Sequence, residues 1–188
     1  MSLRDKIRKR FPGIYNQLIY ANNVIRAKSF FKRSYAQFGE DMILDAYFQE
    51  KDQGFYVDVG AHRPSQRSNT FYFYLKGWRG INIEAMPGSA RLFNAVRPRD
   101  INLENGVSGE ESVLTYYSLN QPLMNGFYNS DEDLKQHEGL EIQDRIEIKT
   151  YPLSHLLQKH MPENQEIDFM SIDVEGLDFD VLKSNDWD

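Results

Sequence analysis

The chain has 188 residues, of which 40% are hydrophobic and 13% aromatic, so it can bury one sizeable core but is too short for two ordinary domains. Its formal net charge of −6 shows no basic balance of the kind that indicates nucleic-acid binding. The lack of cysteine excludes disulfides, thiolate metal ligands and a cysteine nucleophile, and is compatible with a reducing cytoplasm. No apolar stretch is long enough for a signal-peptide core or a membrane span, so we expect a soluble, cytoplasmic protein.

Residues 1–34 form a basic N-terminal extension that we separate from a second region, 35–188. Nine Lys or Arg residues against one acid give the extension a charge of +8, which leaves −14 for the rest of the chain because the total is −6. Apolar residues from Phe11 to Ile25 recur at helical spacing and predict an amphipathic helix with a break at Pro12-Gly13. Such a helix either covers the core with its charges in solvent, or makes a peripheral contact with a membrane or a partner.

The next segment, Tyr35–Gln49, is predicted as a helix that begins near Gly39. Its apolar residues Ile43, Leu44 and Tyr47, together with Phe48, are expected to point inward.

The stretch that follows has the pattern of half a nucleotide-binding α/β unit. The apolar run Phe55–Val59 predicts a buried parallel strand, which stops at Gly60. Ser68 and Asn69 can cap the helix that comes next, and Gly80–Glu84 predicts a second strand that closes on an acid. Strand, glycine turn, helix, strand and acid is the order found in nucleotide-binding sheets.

The spacing of this unit indicates the class of ligand. Gly60 allows the backbone to approach a ligand closely, and Glu84, 24 residues later, can accept both hydrogen bonds of a ribose diol. No further glycine completes a G-x-G-x-x-G fingerprint, and no phosphate-binding P-loop occurs. A ligand with ribose but no pyrophosphate, typically S-adenosylmethionine, therefore fits better than NAD or ATP. The alternative is a structural glycine followed by a surface glutamate.

The middle of the chain predicts further elements of an α/β domain. Residues 87–96 are predicted as a helix and 101–107 as a third strand. Residues 112–119 and 146–151 alternate enough to form an added pair of strands outside the basic sheet. The polar stretch 120–145 between them is either a flap over an acceptor pocket or disordered.

A last strand and helix bring acids to the ligand-binding edge. Ile167–Val174 reads as a buried strand and Leu177–Ser184 as the helix after it. Asp173 and Glu175 project to one side at the carboxyl end of this strand, where open α/β sheets bind their ligands. The two acids can position an acceptor, take its proton or bind a divalent metal, whereas Glu175 can also simply cap the helix.

Four sequence blocks together resemble the FkbM family of S-adenosylmethionine-dependent methyltransferases. They are YAQFGEDMIL at 35–44, VDVGAH at 57–62, SNTFYFYLKGWRGINIEAMP at 68–87 and IDFMSIDVEGLDFDVLK at 167–183. The resemblance implies a class I methyltransferase fold, a Rossmann-like three-layer sandwich, and methylation of a hydroxyl on a sugar, a glycan or a natural product. The sequence stops before the last strands of that fold, so we expect a truncated sheet whose open edge invites pairing with another chain, as in a homo-oligomer.

The resemblance also implies roles for particular residues around S-adenosylmethionine. Glu84 is expected to hold the ribose, and the remaining cofactor-binding residues are expected to be Gln37, Glu40, Asp58, Gly60, Ala61, Asn69 and Asn105. Of these, Gly60 and Ala61 should pass under the methionine portion with Asp58 bonded near it, and Asn105 should lie near the adenine. Asn69 either caps its helix or touches the cofactor carboxylate. For Gln37 and Glu40 the alternative is that the charged start of the helix predicted within Tyr35–Gln49 satisfies its own amides.

Methyl transfer needs alignment more than activation, because the sulfonium of the cofactor is already reactive. Orientation can supply ~7–11 kcal/mol at best, and a base that takes the hydroxyl proton adds about 10²–10⁴-fold. The catalytic candidates for base or acceptor positioning are His62, Asp173 and Glu175. His62 is equally explained as a turn residue bonded to backbone.

Three other functions remain open at the level of sequence. A nicotinamide oxidoreductase lacks its glycines here, and a metal-dependent hydrolase at Asp173 and Glu175 lacks a supporting histidine cluster, so we assign no metal. The third is a non-catalytic, degenerate methyltransferase-fold binding protein. The acceptor is expected to be a hydroxyl-bearing small molecule or glycan, membrane-proximal if the basic residues of 1–34 contact lipid.

Overall fold

The computed structural model describes residues 9–28, 32–128, 130–131, 134, 137, 139–174 and 176–187. The chain divides into two compact units, Met1–Arg33 and Ser34–Asp188. The first unit contains helix α1, Pro12–Lys28, which begins next to the predicted break because proline is tolerated in a first helical turn. Among the described residues, no helix has both the length and the apolar character needed to cross a membrane.

The second unit is a mixed α/β domain. In chain order its elements are α2 (Glu40–Tyr47), β1 (Phe55–Val59), α3 (Phe71–Lys76), β2 (Arg79–Ile83), α4 (Ser89–Val96), β3 (Ile101–Leu103), β4 (Gly106–Val107), β5 (Ser112–Leu119), a 3-10 turn (Pro122–Met124), β6 (Gly126–Phe127), β7 (Ile142–Tyr151), α5 (Leu153–His160), β8 (Phe169–Ile172) and α6 (Asp178–Lys183).

The first sheet has the strand order β3-β2-β1-β8, and all of its strands are parallel. Every residue of β1 and four of the five in β2 are buried, which is why both strands read as apolar runs without alternation. Apolar residues of α5 and α6 pack on one face of the sheet, while α3 and the partly buried apolar residues of α2 pack on the other. The predicted Rossmann-like three-layer α/β fold is confirmed.

A second sheet has the strand order β4-β7-β5-β6, and all of its strands lie between β3 and β8 in the sequence. Its long antiparallel pair, β5 with β7, is the added pair that the alternating patterns predicted, and β7 begins four residues earlier than expected. Helix α5, which follows Pro152, was not predicted.

Two local predictions were wrong. Residues 101–107 do not form one strand, because Ile101–Leu103 pairs with β2 whereas Gly106–Val107 turns away to pair with β7. A Cβ on Gly106 would lie 2.6 Å from the Thr150 side chain, so glycine permits this approach. In α2, Ile43 and Tyr47 are 73% and 81% exposed rather than inward, since the helix is only eight residues long and packs through Leu44.

Candidate functional site

The register of the first sheet brings three strand ends to one point. Val59 of β1 pairs with Ile83 of β2 on one side and with Ile172 of β8 on the other. The residues that follow these strands therefore meet at the carboxyl edge, where parallel sheets bind ligands. A cavity of about 200 Å³ opens there, and the predicted site residues that line it are Gln37, Gly60, His62, Glu84, Asn105 and Asp173.

Gly60 brings the ends of β1 and β8 together. Its φ is 79°, and a Cβ at this position would lie 1.9 Å from the carbonyl oxygen of Asp173. The N–H groups of Gly60 and Ala61 both donate to the carbonyl of Ile83, at 2.9 and 3.1 Å. We expected the glycine to allow close approach of a ligand; in the structure it allows the close approach of the Asp173 backbone.

Glu84 is the acid at the end of β2, and it is only 8% exposed. One carboxylate oxygen accepts the N–H of His62 at 2.7 Å and the other accepts the N–H of Met86 at 2.8 Å. Burial raises the pKa of the Glu84 carboxyl, while these two backbone donors act in the opposite direction. The carboxylate therefore orders the backbone on both sides of the cavity edge and still contributes to the cavity wall.

His62 combines the two roles that the sequence left open. It has a positive φ of 48°, and its backbone N–H donates to Glu84, as expected of a turn residue. The residue also lines the cavity. Partial burial, and then the charges of Arg63 and Arg67, lower the pKa of the imidazole, so His62 is neutral at pH 7.

Asp173 reaches the cavity directly after β8, where its N–H donates to the carbonyl of Val59 at 2.9 Å. Burial, followed by the charges of Asp178 and Glu40, raises the pKa of the Asp173 carboxyl. Glu175, its predicted partner, lies outside the described residues. Among the residues that are described, no group of three or more His, Cys, Asp or Glu could hold a metal ion.

Three predicted cofactor residues lie behind the cavity wall rather than on it. Asp58 is buried and accepts a hydrogen bond from the Thr70 hydroxyl at 2.5 Å. The side-chain amide of Asn69 donates to the Ser171 hydroxyl at 3.0 Å, so it bridges to β8 instead of capping α3. Ala61 is buried as well. These residues fix the loop between β1 and α3.

Gln37 lines the cavity and lies in a turn that the buried carboxylate of Asp41 shapes. That carboxylate accepts the Ser34 hydroxyl and the Tyr35 N–H, both at 2.7 Å, and so shapes the turn that precedes α2. Glu40 does not line the cavity, and its carboxylate accepts the N–H of the residue two positions before it at 2.8 Å. Gln37 thus belongs to the cavity wall, whereas the Glu40 carboxylate bonds one backbone amide, that of Phe38, just before its own helix.

A buried arginine that sequence patterns missed organises the loop after β1. Arg97 is fully buried, and its guanidinium donates to the Pro64 carbonyl, the Ser68 and Thr70 hydroxyls and the Asn82 side chain at 2.6–2.9 Å. These bonds attach the loop to β2. An arginine at the end of a helix is normally exposed to solvent, so nothing in the neighbouring sequence indicated that Arg97 would be buried.

The second sheet supplies the other wall of the cavity, and sequence patterns missed most of it. Within the polar stretch 120–145, Leu123–Phe127 is ordered and lines the cavity, together with Tyr116 of β5. The Asn125 side chain accepts the N–H of Leu119 at 2.8 Å, which fixes this turn on β5. The only available signal was the position of the stretch in the chain, which suggested a flap.

One comparison with known proteins identified a family. The family model described as Methyltransferase FkbM domain matches residues 58–188, which is more than half of the chain and includes all three strand ends at the cavity. Searches of the curated proteins and of the solved structures gave no match.

Proposed function

The chain belongs to the FkbM methyltransferase family, and we propose that it transfers the methyl group of S-adenosylmethionine to a hydroxyl of a sugar, a glycan or a natural product. The observation that carries this proposal is the cavity at the carboxyl ends of β1, β2 and β8 with Glu84 on its wall. A buried carboxylate at the end of the second strand is suited to a ribose diol.

The side chains of the cavity fit S-adenosylmethionine in kind. Glu84 offers carboxylate oxygens for ribose hydroxyls, Asn105 and Gln37 offer amide groups, and Val107 and Phe127 offer an apolar surface for a purine ring. The cavity volume of about 200 Å³ is below the roughly 300–1,000 Å³ usual for small-molecule sites. We therefore expect the wall formed by Leu123–Phe127 to shift outward when the whole cofactor binds.

The bound cofactor would supply a methyl group activated by its sulfonium. The protein's task is then to orient the acceptor hydroxyl and to accept its proton. His62 is neutral at pH 7 because its pKa is lowered, and burial makes Asp173 a stronger base than an ordinary carboxylate. Both line the cavity, and either can act as the base, with Glu175 as the third candidate from the sequence.

Calorimetric titration with S-adenosylhomocysteine tests the cofactor class. We expect saturable binding by the wild-type chain and weaker binding by Glu84→Ala. The matched control is Glu104→Ala, because Glu104 follows β3 and also accepts two backbone N–H groups, from Gly88 and Ala90 at 2.9 and 3.1 Å, yet does not line the cavity.

The outcomes separate the alternatives. Equal weakening by both substitutions would indicate a general loss of structure rather than a ribose contact. No binding by a folded wild-type chain would contradict the proposed cofactor. Binding of the cofactor without methyl transfer to any hydroxyl acceptor would favour the non-catalytic binding protein.

A further inference from the structure

Tyr116 is a buried phenol on the wall that the second sheet contributes to the cavity. The side chain is 5% exposed, and its ring packs edge-on against Phe127 at a centroid distance of 5.4 Å. Phe127 is also its partner in the β5–β6 register, so two strands fix the position of the ring. Glu84, from the first sheet, lines the same cavity.

Asn125 lines the same cavity as Tyr116, and its amide oxygen is already engaged, because it accepts the N–H of Leu119 at 2.8 Å. Its NH₂ group is therefore the part of the side chain that can act as a donor towards the phenol oxygen. Consistent with such a donor, Asn125 favours the phenolate form and lowers the pKa of Tyr116, against the larger upward effect of burial. Among the described residues, none accepts the hydroxyl proton of Tyr116 by a hydrogen bond.

Tyr116 and Glu84 lie on the wall of the same cavity, the first with a hydroxyl that can donate a hydrogen bond and the second with a carboxylate that can accept one. The Glu84 charge also raises the pKa of the Tyr116 hydroxyl, in agreement with their shared place on the cavity wall. A ligand group between them must accept a hydrogen bond from the phenol and donate one to the carboxylate. A hydroxyl group does both, whereas a carbonyl only accepts and an ammonium only donates.

We propose that Tyr116, whose ring is fixed by Phe127, donates a hydrogen bond to one hydroxyl of the ribose diol that Glu84 binds. This inference rests on the proposed cofactor class. It adds a second ribose contact from the second sheet, so that the nucleoside is held between the two sheets of the domain. It also makes Tyr116 a specificity residue, because a buried donor without an acceptor disfavours a ligand that lacks the hydroxyl.

The test measures binding by calorimetry for wild type and Tyr116→Phe, with S-adenosylhomocysteine and its 2′-deoxy and 3′-deoxy analogues. Tyr116→Phe removes only the hydroxyl, and we expect it to weaken S-adenosylhomocysteine binding by about 2- to 13-fold, the range of one net hydrogen bond. For one of the two deoxy analogues, the same substitution should change the dissociation constant by less than about twofold, because that ligand has no oxygen for Tyr116 to lose.

Tyr117→Phe is the matched control, since Tyr117 is the next residue of β5, is equally buried and does not line the cavity. It should leave all three affinities unchanged. Tyr116→Phe binding all three ligands as wild type does, or losing affinity equally for all three, would overturn the inference. Failure of the wild-type chain to bind S-adenosylhomocysteine would overturn the proposed cofactor and this inference with it.

Discussion

Replacing Arg97 with methionine should strongly destabilise the domain. Arg97 is fully buried, its guanidinium makes four hydrogen bonds, and it lies 3.9 Å from the buried carboxylate of Asp100. Through the Thr70 hydroxyl it is also linked to Asp58, because Thr70 accepts from Arg97 and donates to Asp58. Methionine fills much of the volume but removes the one cation that, among the described residues, acts on both carboxylates.

The loss should be about 3–5 kcal/mol in the free energy of unfolding, the range found when one partner of a buried ion pair is removed. In a chain of this size each kcal/mol lowers the melting temperature by about 2–4 °C, so we expect a drop of about 6–20 °C. Urea unfolding at pH 7 measures the first quantity and thermal unfolding the second. Arg99→Met is the control, because Arg99 is exposed and, within the described part of the chain, donates a hydrogen bond to the Tyr74 carbonyl alone.

The penalty should also depend on pH in a defined direction. Burial already raises the pKa of Asp58 and of Asp100, and the Arg97 charge opposes this in both. Without Arg97 both folded-state pKa values rise further, so the folded variant gains protons at pH values where the unfolded chain has lost them. The loss of stability relative to wild type is therefore largest above the raised pKa values. It becomes smaller as the pH falls towards about 4, the pKa of an unfolded aspartate. A loss below 1 kcal/mol, or a deficit that is the same at pH 4 and pH 7, would refute this reasoning.

Two further predictions follow from the turn after β1. Gly60→Ala should lower the free energy of unfolding by at least about 2 kcal/mol more than Gly88→Ala does. Both glycines have a positive φ, but only at Gly60 would a Cβ meet the Asp173 backbone. Equal losses of stability in urea unfolding would contradict this prediction. NMR titration of His62 should give a pKa below its ordinary value of 6.5. The contribution of His62 to stability should therefore rise as the pH increases to 6.5, because in this range the unfolded chain binds more protons at this residue than the folded chain does. His62→Gln should remove that contribution from the pH profile of stability, and a pKa above 6.5 would show that the ring is not buried as described.

The sequence alone predicted the central part of the fold and one edge of the site. Apolar runs without alternation identified β1 and β2 as buried parallel strands, and parallel strands place their carboxyl ends at the same edge. Glu84 could therefore be assigned to that edge before any contact was known, and it lines the cavity. These inferences succeed because they depend on local spacing and on the fixed direction of parallel strands.

Only the tertiary structure decided which residues complete the site. Tyr116 and Asn125 come from a sheet whose strands pair across long sequence separations, and their own segments read as an alternating strand and a polar loop. Arg97 is buried beside two buried carboxylates, Asp58 and Asp100, whose charged forms it stabilises. Local patterns record how a residue suits its own helix or strand, whereas burial of a charge and the wall of a cavity are set by segments that meet only when the chain folds.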